Sequence, residues 1–185
     1  MRIAIYGGSF NPPHRAHAMV IDWLLESQTA DQVWLVPVYR HAFEASNDKI
    51  LAPFEDRMRW CRALGESFGE RVVVSDVEQH LPVPSYTIDT LDYLVGRHPD
   101  LTFRLVVGAD ILGQVDGWKQ WGRIEAEYSP VVVGRAGYPS PDGVPCFPEI
   151  SSTAVRELLS KGGDASSFLT PEVWALLGLE RPWAE

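Results

Sequence analysis

Residues 2–17 read RIAIYGGSFNPPHRAH, and this stretch decides the fold. Its first part, Arg2–Tyr6, is a short apolar run of the kind that forms a buried strand, and the glycine pair Gly7–Gly8 follows it directly. From His17 to Ser27 apolar residues recur at helical spacing, which predicts a helix. A strand, a glycine turn and a helix in this order are typical of an α/β fold with a parallel sheet.

The same alternation continues along the chain. The predicted strands are rich in β-branched residues and lack polar alternation, which is typical of parallel strands covered by helices on both faces. We therefore predict a single α/β domain over residues 1–185. The further predicted strands are Gln32–Val38, Arg71–Ser75, Thr102–Val107 and Pro130–Gly134, and the further predicted helices are Pro53–Phe68, Thr87–Arg97, Ser152–Ser160 and Pro171–Leu177.

Long connections are predicted where the pattern breaks. Gly137–Pro148 is rich in proline and glycine and is predicted to be a surface loop, and Tyr39–Ala52 is a second long loop. Ligands of an open parallel sheet bind beyond the carboxyl ends of its strands. The candidate ligand-binding loops at those ends are Gly7–His17, Pro37–Ala52 and Gly108–Trp121.

The composition restricts the class of ligand. The chain carries a formal net charge of −9, which gives it no electrostatic footprint for long nucleic acid or an anionic membrane. No apolar run approaches membrane-spanning length, and the N-terminal MRIAIYGG lacks the apolar region of a signal peptide. Cys61 and Cys146 lie outside any CxxC pair, as expected for free thiols in a reducing compartment. We expect a cytoplasmic protein that binds neither nucleic acid nor membrane.

The loop after the first strand has the features of an anion site. Gly7 and Gly8 let the backbone approach a ligand, and His14 and His17 lie three residues apart at a helix start, where both can face one anion. The helix N-terminus adds free N–H donors and a positive dipole. These features suit a triphosphate, although the loop matches neither GxxxxGK(S/T) nor GxGxxG. A metal site is the weaker alternative, because no third ligand is evident nearby.

The stretch GSFNPPHRAH, Gly8–His17, resembles the signature of the nucleotidyltransferase superfamily with the (H/T)xGH motif. Its form is similar to that of the nicotinate and nicotinamide mononucleotide adenylyltransferases, and the resemblance implies a Rossmann-like domain. Ala16 stands where the motif usually has glycine. The residues so implied in ATP binding are Gly8, Ser9, Phe10, His14 and His17, and Asn11 is implied in binding the acceptor.

A second signature lies near the other end of the chain. ISSTAVREL, Ile150–Leu158, reads by itself as a capped helix with Arg156 in solvent. The segment resembles the SSTxxR signature of the same family, which grips the β- and γ-phosphates of ATP. The resemblance adds Ile150, Ser151, Ser152, Thr153 and Arg156 to the ATP site, and it makes His14, His17 and Arg156 the expected catalytic residues.

Two further segments extend the predicted ATP site. VVGADIL, Val106–Leu112, reads by itself as a strand and a turn capped by Asp110, but it resembles the GxD element of the family. The resemblance implies that Gly108 lies against the nucleotide and that Asp110 binds a ribose hydroxyl. VVVGRAGY, Val131–Tyr138, matches the element that carries an arginine near ATP, which is Arg135 here.

The acceptor side is predicted from two segments. SYTIDTL, Ser85–Leu91, reads by itself as a capped helix and resembles the SYTxxTL segment that meets the nicotinate moiety in this family. GWKQW, Gly117–Trp121, resembles the element whose aromatic ring packs near the pyridine. The acceptor-binding residues that these segments imply are Tyr86, Thr87, Trp118 and Lys119.

The loop Tyr39–Ala52 departs from the family pattern. Bacterial members usually carry a PPHK-like element there, with a basic residue near the acceptor, whereas this chain has YRHAFEASNDK. The basic residues that could replace it are Arg40, His41 and Lys49, of which we take Arg40 as the candidate.

Taken together, the resemblance implies adenylyl transfer from ATP to nicotinate mononucleotide, giving deamido-NAD and pyrophosphate in NAD biosynthesis. Mg²⁺ is expected with ATP, held mainly by phosphates, and no metal site built from side chains is expected. The alternatives are another acceptor, nicotinamide mononucleotide or phosphopantetheine, and a nucleotide-binding regulator without catalysis. SYTIDTL and GWKQW favour a pyridine acceptor, and the presence of both histidines and Arg156 favours an enzyme. The sequence leaves the oligomeric state open.

Overall fold

The computed structural model describes residues 1–40, 51–138, 142–180 and 182–183. Of the basic candidates in the second long loop, His41 and Lys49 lie outside the described residues. No helix in the described part of the chain is long and apolar enough to cross a membrane.

A parallel sheet forms the centre of the molecule. In the described part of the chain it has six strands in the order β3-β2-β1-β4-β5-β6, and every neighbouring pair is parallel. The predicted α/β class with a parallel sheet is therefore confirmed. The strands are β1 Arg2–Gly8, β2 Gln32–Pro37, β3 Val72–Val74, β4 Thr102–Gly108, β5 Val131–Arg135 and β6 Cys146–Phe147.

Helices cover both faces of the sheet. Alternate residues of the central strand point to opposite faces, so that Ala4 belongs to one apolar cluster and Ile3 and Ile5 to the other. Helices α1, α2, α5 and α6 pack into the first cluster, and α3 and α4 into the second. The helices are α1 Arg15–Glu26, α2 Phe54–Gly65, α3 Thr87–Arg97, α4 Trp121–Tyr128, α5 Ser152–Ser160 and α6 Pro171–Glu180.

The structure adds two elements that the sequence pattern did not predict. Helix α4 follows the predicted loop Gly108–Trp121 and has only eight residues, of which Ile124 and Tyr128 are buried. Strand β6 lies inside the predicted surface loop Gly137–Pro148, where two residues pair with β5. Both elements are too short for a recognisable period, so tertiary packing rather than local pattern defines them. The prediction of Gly137–Pro148 as loop throughout was wrong at these two residues.

The chain reverses its direction of winding between β1 and β4. The strands after β1 are added on one side of it, and β4 then returns to its other side, so the carboxyl ends of β1 and β4 flank a crevice. Each of these two strands ends in a glycine for a steric reason. A Cβ on Gly8 would lie 3.3 Å from the Phe10 ring, and a Cβ on Gly108 would collide with the carboxylate of Asp110.

Candidate active site

The phosphate loop, defined here as Ser9–His14, joins β1 to α1 at the crevice. Phe10 has a positive φ of 46° and is only 2% exposed, because its ring packs edge-on against Tyr6 and His17. The buried ring belongs to the apolar core and holds the loop against it. The loop backbone therefore lies across the end of β1, close to the N-terminus of α1.

Two histidines stack at the N-terminus of α1. Their ring centroids are 3.7 Å apart, and His14 is the N-cap residue of the helix. The backbone N–H of His14 donates to Nδ1 of His17 at 3.0 Å. Because Nδ1 accepts this bond, a neutral His17 carries its proton on Nε2, which makes that nitrogen a donor. Nδ1 of His14 is buried and has no hydrogen-bond partner among the described residues.

Burial keeps both histidines neutral at physiological pH. Burial, together with the charge of Arg135, lowers the pKa of His14 to about 4. Burial also lowers the pKa of His17 well below the usual value, with further lowering by His14 and Arg135. In the ligand-free protein the pair consequently offers N–H donors rather than positive charge.

Helix α5 docks its N-terminus onto the phosphate loop. Ser152 Oγ donates to the carbonyl oxygen of Pro12 at 2.8 Å, and Arg156 Nη1 donates to that of Asn11 at 2.7 Å. Ser151 caps the helix by accepting from the N–H of Ala154 at 3.1 Å. The two predicted signatures, some 140 residues apart in the chain, are thus brought together. Their juxtaposition adds a second helix N-terminus and a guanidinium to the crevice.

Other residues of the second signature lie around this contact. Thr153 is exposed and its Oγ1 accepts from Arg156 Nη2 at 3.3 Å, which orients the guanidinium from its own helix. Ile150 is half-buried and packs against the apolar core, so its side chain supports the helix start. Arg156 is itself half-buried, and burial lowers the pKa of its guanidinium.

Asp110 and Arg135 form an ion pair at the ends of β4 and β5. Arg135 Nη1 donates to Asp110 Oδ2, and the charge of Arg135 acts on both histidines as described above. The carboxylate of Asp110 is therefore paired with a cation. Among the described residues no three His, Cys, Asp or Glu side chains come together as a group that could hold a metal ion.

The acceptor side is defined here as the N-terminus of α3 with Arg40, Trp118 and Lys119. Tyr86 is the N-cap residue of α3, followed by Thr87, and Lys119 Nζ lies 4.8 Å from the centre of the Tyr86 ring. Lys119 Nζ donates to both carboxylate oxygens of Asp89 at 2.8 Å. Trp118 is half-buried and packs edge-on against Trp121. The carbonyl oxygen of Arg40 accepts from Ser85 N at 3.1 Å, which ties the second loop to α3.

The side chain of Asn11, which the sequence predicts to bind the acceptor, is buried next to the second long loop. The residue is 2% exposed, and its Oδ1 accepts from the N–H of Ala52 at 3.0 Å. This bond fastens the end of the second long loop to the phosphate loop. The amide side chain of Asn11 therefore organises the two loops in the ligand-free protein.

Two buried charged residues were missed by the sequence analysis. Arg57 on α2 is 1% exposed, and Glu78 is 8% exposed. Arg57 donates to the carbonyl oxygens of Ser9 and Ala52, both at 3.0 Å. No sequence signal identified them, because a charged residue inside an amphipathic helix normally lies on its solvent face.

A parallel sheet whose switch point carries two histidines and an arginine at two helix N-termini defines a nucleotidyltransferase-type site. Consistent with this geometry, the chain matches the family model described as cytidylyltransferase-like over residues 5–158. A protein of Anaeromyxobacter sp. (strain K), described as a probable nicotinate-nucleotide adenylyltransferase, is 44% identical over 173 residues, covering 92% of this chain and 90% of the relative. A Myxococcus xanthus protein of the same description is 40% identical over 172 residues, covering 92% and 88%.

A solved structure shares the fold. The Plasmodium falciparum nicotinic acid mononucleotide adenylyltransferase, in complex with NaAD, superposes with a TM-score of 0.80 at 22% identity, covering 98% of this chain and 97% of that one. Over nearly its whole length this chain belongs to the nicotinate-nucleotide adenylyltransferase family. The resemblance read from the sequence is confirmed.

The neutral histidine pair predicts a specific loss of stability in mild acid. The pKa of His14 is about 4 in the folded protein and about 6.5 when unfolded. Between these values the unfolded chain binds more protons, so the free energy of unfolding falls as pH is lowered. His14 contributes a loss of about 1.6 kcal/mol between pH 6.5 and 5, because the unfolded histidine is already half protonated at pH 6.5.

The measurement is urea unfolding of the wild type and His14→Asn at several pH values. Asparagine is a good N-cap residue and does not titrate. We expect the stability of His14→Asn to fall less steeply between pH 6.5 and 5, because the His14 titration is removed and the pKa of His17, which His14 lowers, rises toward its usual value. Parallel curves for the two proteins would contradict a neutral, buried His14.

Proposed function

We propose that this chain transfers the adenylyl group of ATP to nicotinate mononucleotide, giving NaAD and pyrophosphate. The observation that carries the proposal is the docking of α5 onto the phosphate loop, which gathers His14, His17 and Arg156 at one end of the sheet. Its reaction type and acceptor follow from family membership, because relatives up to 44% identical carry the name nicotinate-nucleotide adenylyltransferase.

The triphosphate of ATP is assigned to the crevice between the phosphate loop and α5. His17 donates from Nε2, and the N-termini of α1 and α5 contribute backbone N–H groups and positive dipoles. Arg156 uses two of its donors on protein oxygens, and a guanidinium has five. Its remaining donors are available to the β- and γ-phosphates. Gly8, Ser9 and Phe10 bring the loop backbone against the nucleotide.

The nucleotide end is assigned to the turn after β4. Gly108 gives the close approach, and Asp110 binds a ribose hydroxyl. Because Asp110 is paired with Arg135 in the free protein, the pair would have to rearrange when ATP binds. Arg135 could then turn its charge toward the phosphates, where it is close enough to influence both histidines.

The chemistry requires neither a general base nor an enzyme nucleophile. The phosphate of the mononucleotide is already ionised at neutral pH, and one of its oxygens attacks the α-phosphorus of ATP. The bond from that phosphorus to the bridging oxygen breaks, and pyrophosphate leaves with the electron pair. The protein accelerates the step by alignment and by donors that meet the charge growing on the leaving group.

We assign Mg²⁺ as the ion that accompanies ATP. The described side chains around the phosphates are imidazoles and a guanidinium, which are donors to anions rather than ligands for a hard cation. Phosphate oxygens and waters are the ligands that suit such a site. The ion would neutralise charge on the phosphates and hold them in one conformation.

The pyridine ring of the acceptor is assigned to Tyr86, Thr87 and Trp118. The N-terminus of α3 presents backbone N–H groups and the Thr87 hydroxyl, which favour a carboxylate. Lys119 adds a nearby cation, although Asp89 holds it in the free protein. Arg40 lies on the same side through its backbone bond to Ser85 and is assigned to the acceptor phosphate.

Acceptor choice is the first test. We expect kcat/KM with ATP in excess to be higher for nicotinate than for nicotinamide mononucleotide, because an amide would set its own N–H₂ donors against the donors of α3. Pyrophosphate release is the readout, and phosphopantetheine serves as a third acceptor. Equal values for the two pyridines would remove the assigned selectivity, and no turnover with any acceptor would favour a nucleotide-binding regulator.

His17 is expected to be essential for turnover. His17→Ala should lower kcat on the order of 10²–10³-fold, because one donor to the leaving group is lost. His17→Asn is the matched variant, since its Oδ1 can replace Nδ1 as acceptor for His14 N while the Nε2 donor is absent. Both variants should have a lower kcat, and only the alanine variant should lose the hydrogen bond from His14 N at the start of α1. Near-normal turnover in a folded His17→Asn protein would exclude a catalytic role.

Arg156 is expected to act on ATP rather than on the acceptor. Arg156→Ala should raise the KM for ATP and lower kcat, and Arg156→Lys should restore only part of the loss, because an ammonium cannot fork onto two phosphate oxygens. Lys161→Ala, which removes an exposed cation at the other end of α5, is the control. Unchanged ATP kinetics in Arg156→Ala would mean that Arg156 only tethers the loop.

A further inference from the structure

Two oppositely charged side chains are buried in the described part of the protein, Arg57 and Glu78. Among the described residues, Arg57 is the one buried Lys or Arg side chain and Glu78 the one buried carboxylate. Burying a guanidinium is costly unless its donors and its charge are satisfied. The partners of Arg57 and Glu78 therefore indicate what the pair does.

Arg57 joins the phosphate loop to the second long loop. Its Nη1 donates to the carbonyl oxygen of Ser9 and its Nε to that of Ala52, both at 3.0 Å. The N–H of Ala52 is bonded in turn to Asn11 Oδ1. Ala52 is thus held on both sides of its backbone, once by the phosphate loop directly and once through Arg57.

Glu78 holds the opposite end of the second loop. Its Oε2 accepts from the N–H of Tyr39 at 2.9 Å, and its Oε1 accepts from Thr90 Oγ1 at 3.5 Å. Thr90 lies on α3, one turn beyond the N-terminus assigned to the pyridine. Burial raises the pKa of Glu78, and the bonds from Tyr39 and Thr90 and the charge of Arg57 oppose the rise.

One aromatic side chain completes the connection. Phe54, at the start of α2, lies 5.4 Å below the Arg57 guanidinium and packs edge-on against Tyr39 at 5.0 Å. Arg57 is therefore connected to Glu78 through Phe54 and Tyr39, whose backbone N–H donates to Glu78. Through them the phosphate loop, both ends of the second loop and α3 become one mechanically continuous unit.

We propose that Arg57 is a positioning residue that fixes the phosphate loop relative to the acceptor side, with Glu78 holding the opposite end of the second loop. The proposal rests on the proposed function, since it assigns ATP to one side of this unit and the acceptor to the other. Neither residue touches a substrate. Their effect is on the alignment of the attacking phosphate with the α-phosphorus, where a displacement of about 1 Å can cost on the order of 10² in rate.

The test compares Arg57→Lys with Leu64→Ala. Lysine keeps the charge opposite Glu78 but cannot donate to Ser9 and Ala52 from one planar fork. Leu64 is fully buried on the same helix and its apolar side chain makes no hydrogen bond, so Leu64→Ala lowers stability without cutting the connection. We expect kcat to fall about 10- to 100-fold in Arg57→Lys and to stay at the wild-type value in folded Leu64→Ala.

A second variant tests the Glu78 end of the unit, and it tests the proposal even if Arg57→Lys does not fold. Glu78→Gln keeps an acceptor oxygen for Tyr39 N but removes the charge. Because the described hydrogen bonds of Glu78 go to Tyr39 of the second loop and Thr90 of α3 rather than to the phosphate loop, the KM for the mononucleotide should rise several-fold while the KM for ATP stays unchanged. Unchanged KM values for both substrates would overturn the proposal.

Two further outcomes would also overturn it. Wild-type kcat in Arg57→Lys would show that the link to Ser9 has no kinetic effect, and equal losses in Arg57→Lys and Leu64→Ala would show only general destabilisation. All variants are assayed with the acceptor that the wild type turns over fastest. An incorrect acceptor assignment would therefore contradict the proposed function without changing this comparison.

Discussion

The contact between α5 and the phosphate loop is the constraint on which the site depends. Ser152 and Arg156 donate to two consecutive loop carbonyls, those of Pro12 and Asn11, and so fasten the loop to α5. The buried ring of Phe10 fastens it to the apolar core. Without the helix, a short loop of this kind would keep its carbonyl groups toward solvent and its N–H groups unaligned. With it, two helix N-termini converge on one position, which is the arrangement that an anion requires.

Neutral hydrogen-bond donors and positive charges are supplied by different residues of the site. The stacked histidines are neutral because burial and Arg135 lower the pKa of each, so they contribute hydrogen-bond donors that cost little to bury. Positive charge comes instead from guanidiniums, which stay protonated in any environment. Arg156 is fixed on the loop, and the charge of Arg135 is neutralised by Asp110.

The sequence was sufficient for the fold class, and insufficient for what depends on packing. The apolar runs predicted the central strands within a few residues. His14 and His17 were singled out by their spacing at a helix start, and Arg156 by the resemblance of its segment to a family signature. Strand β6 escaped because two residues carry no period. Arg57 escaped for a different reason, since its partners are backbone carbonyls at Ser9 and Ala52, and backbone groups leave no trace in a sequence.

The acidity of the chain explains why so much of this structure is devoted to holding a few donors. A protein with a net charge of −9 repels anionic substrates at long range, but salt screens that repulsion beyond about 8 Å at physiological ionic strength. Binding then depends on donors within hydrogen-bond distance, whose strength falls steeply with misalignment. Anion binding then depends more on the precise placement of backbone donors than on the net charge of the protein. Arg57 and Glu78 have opposite charges and bond mostly to backbone groups, so the positioning role that we propose for them adds no net charge.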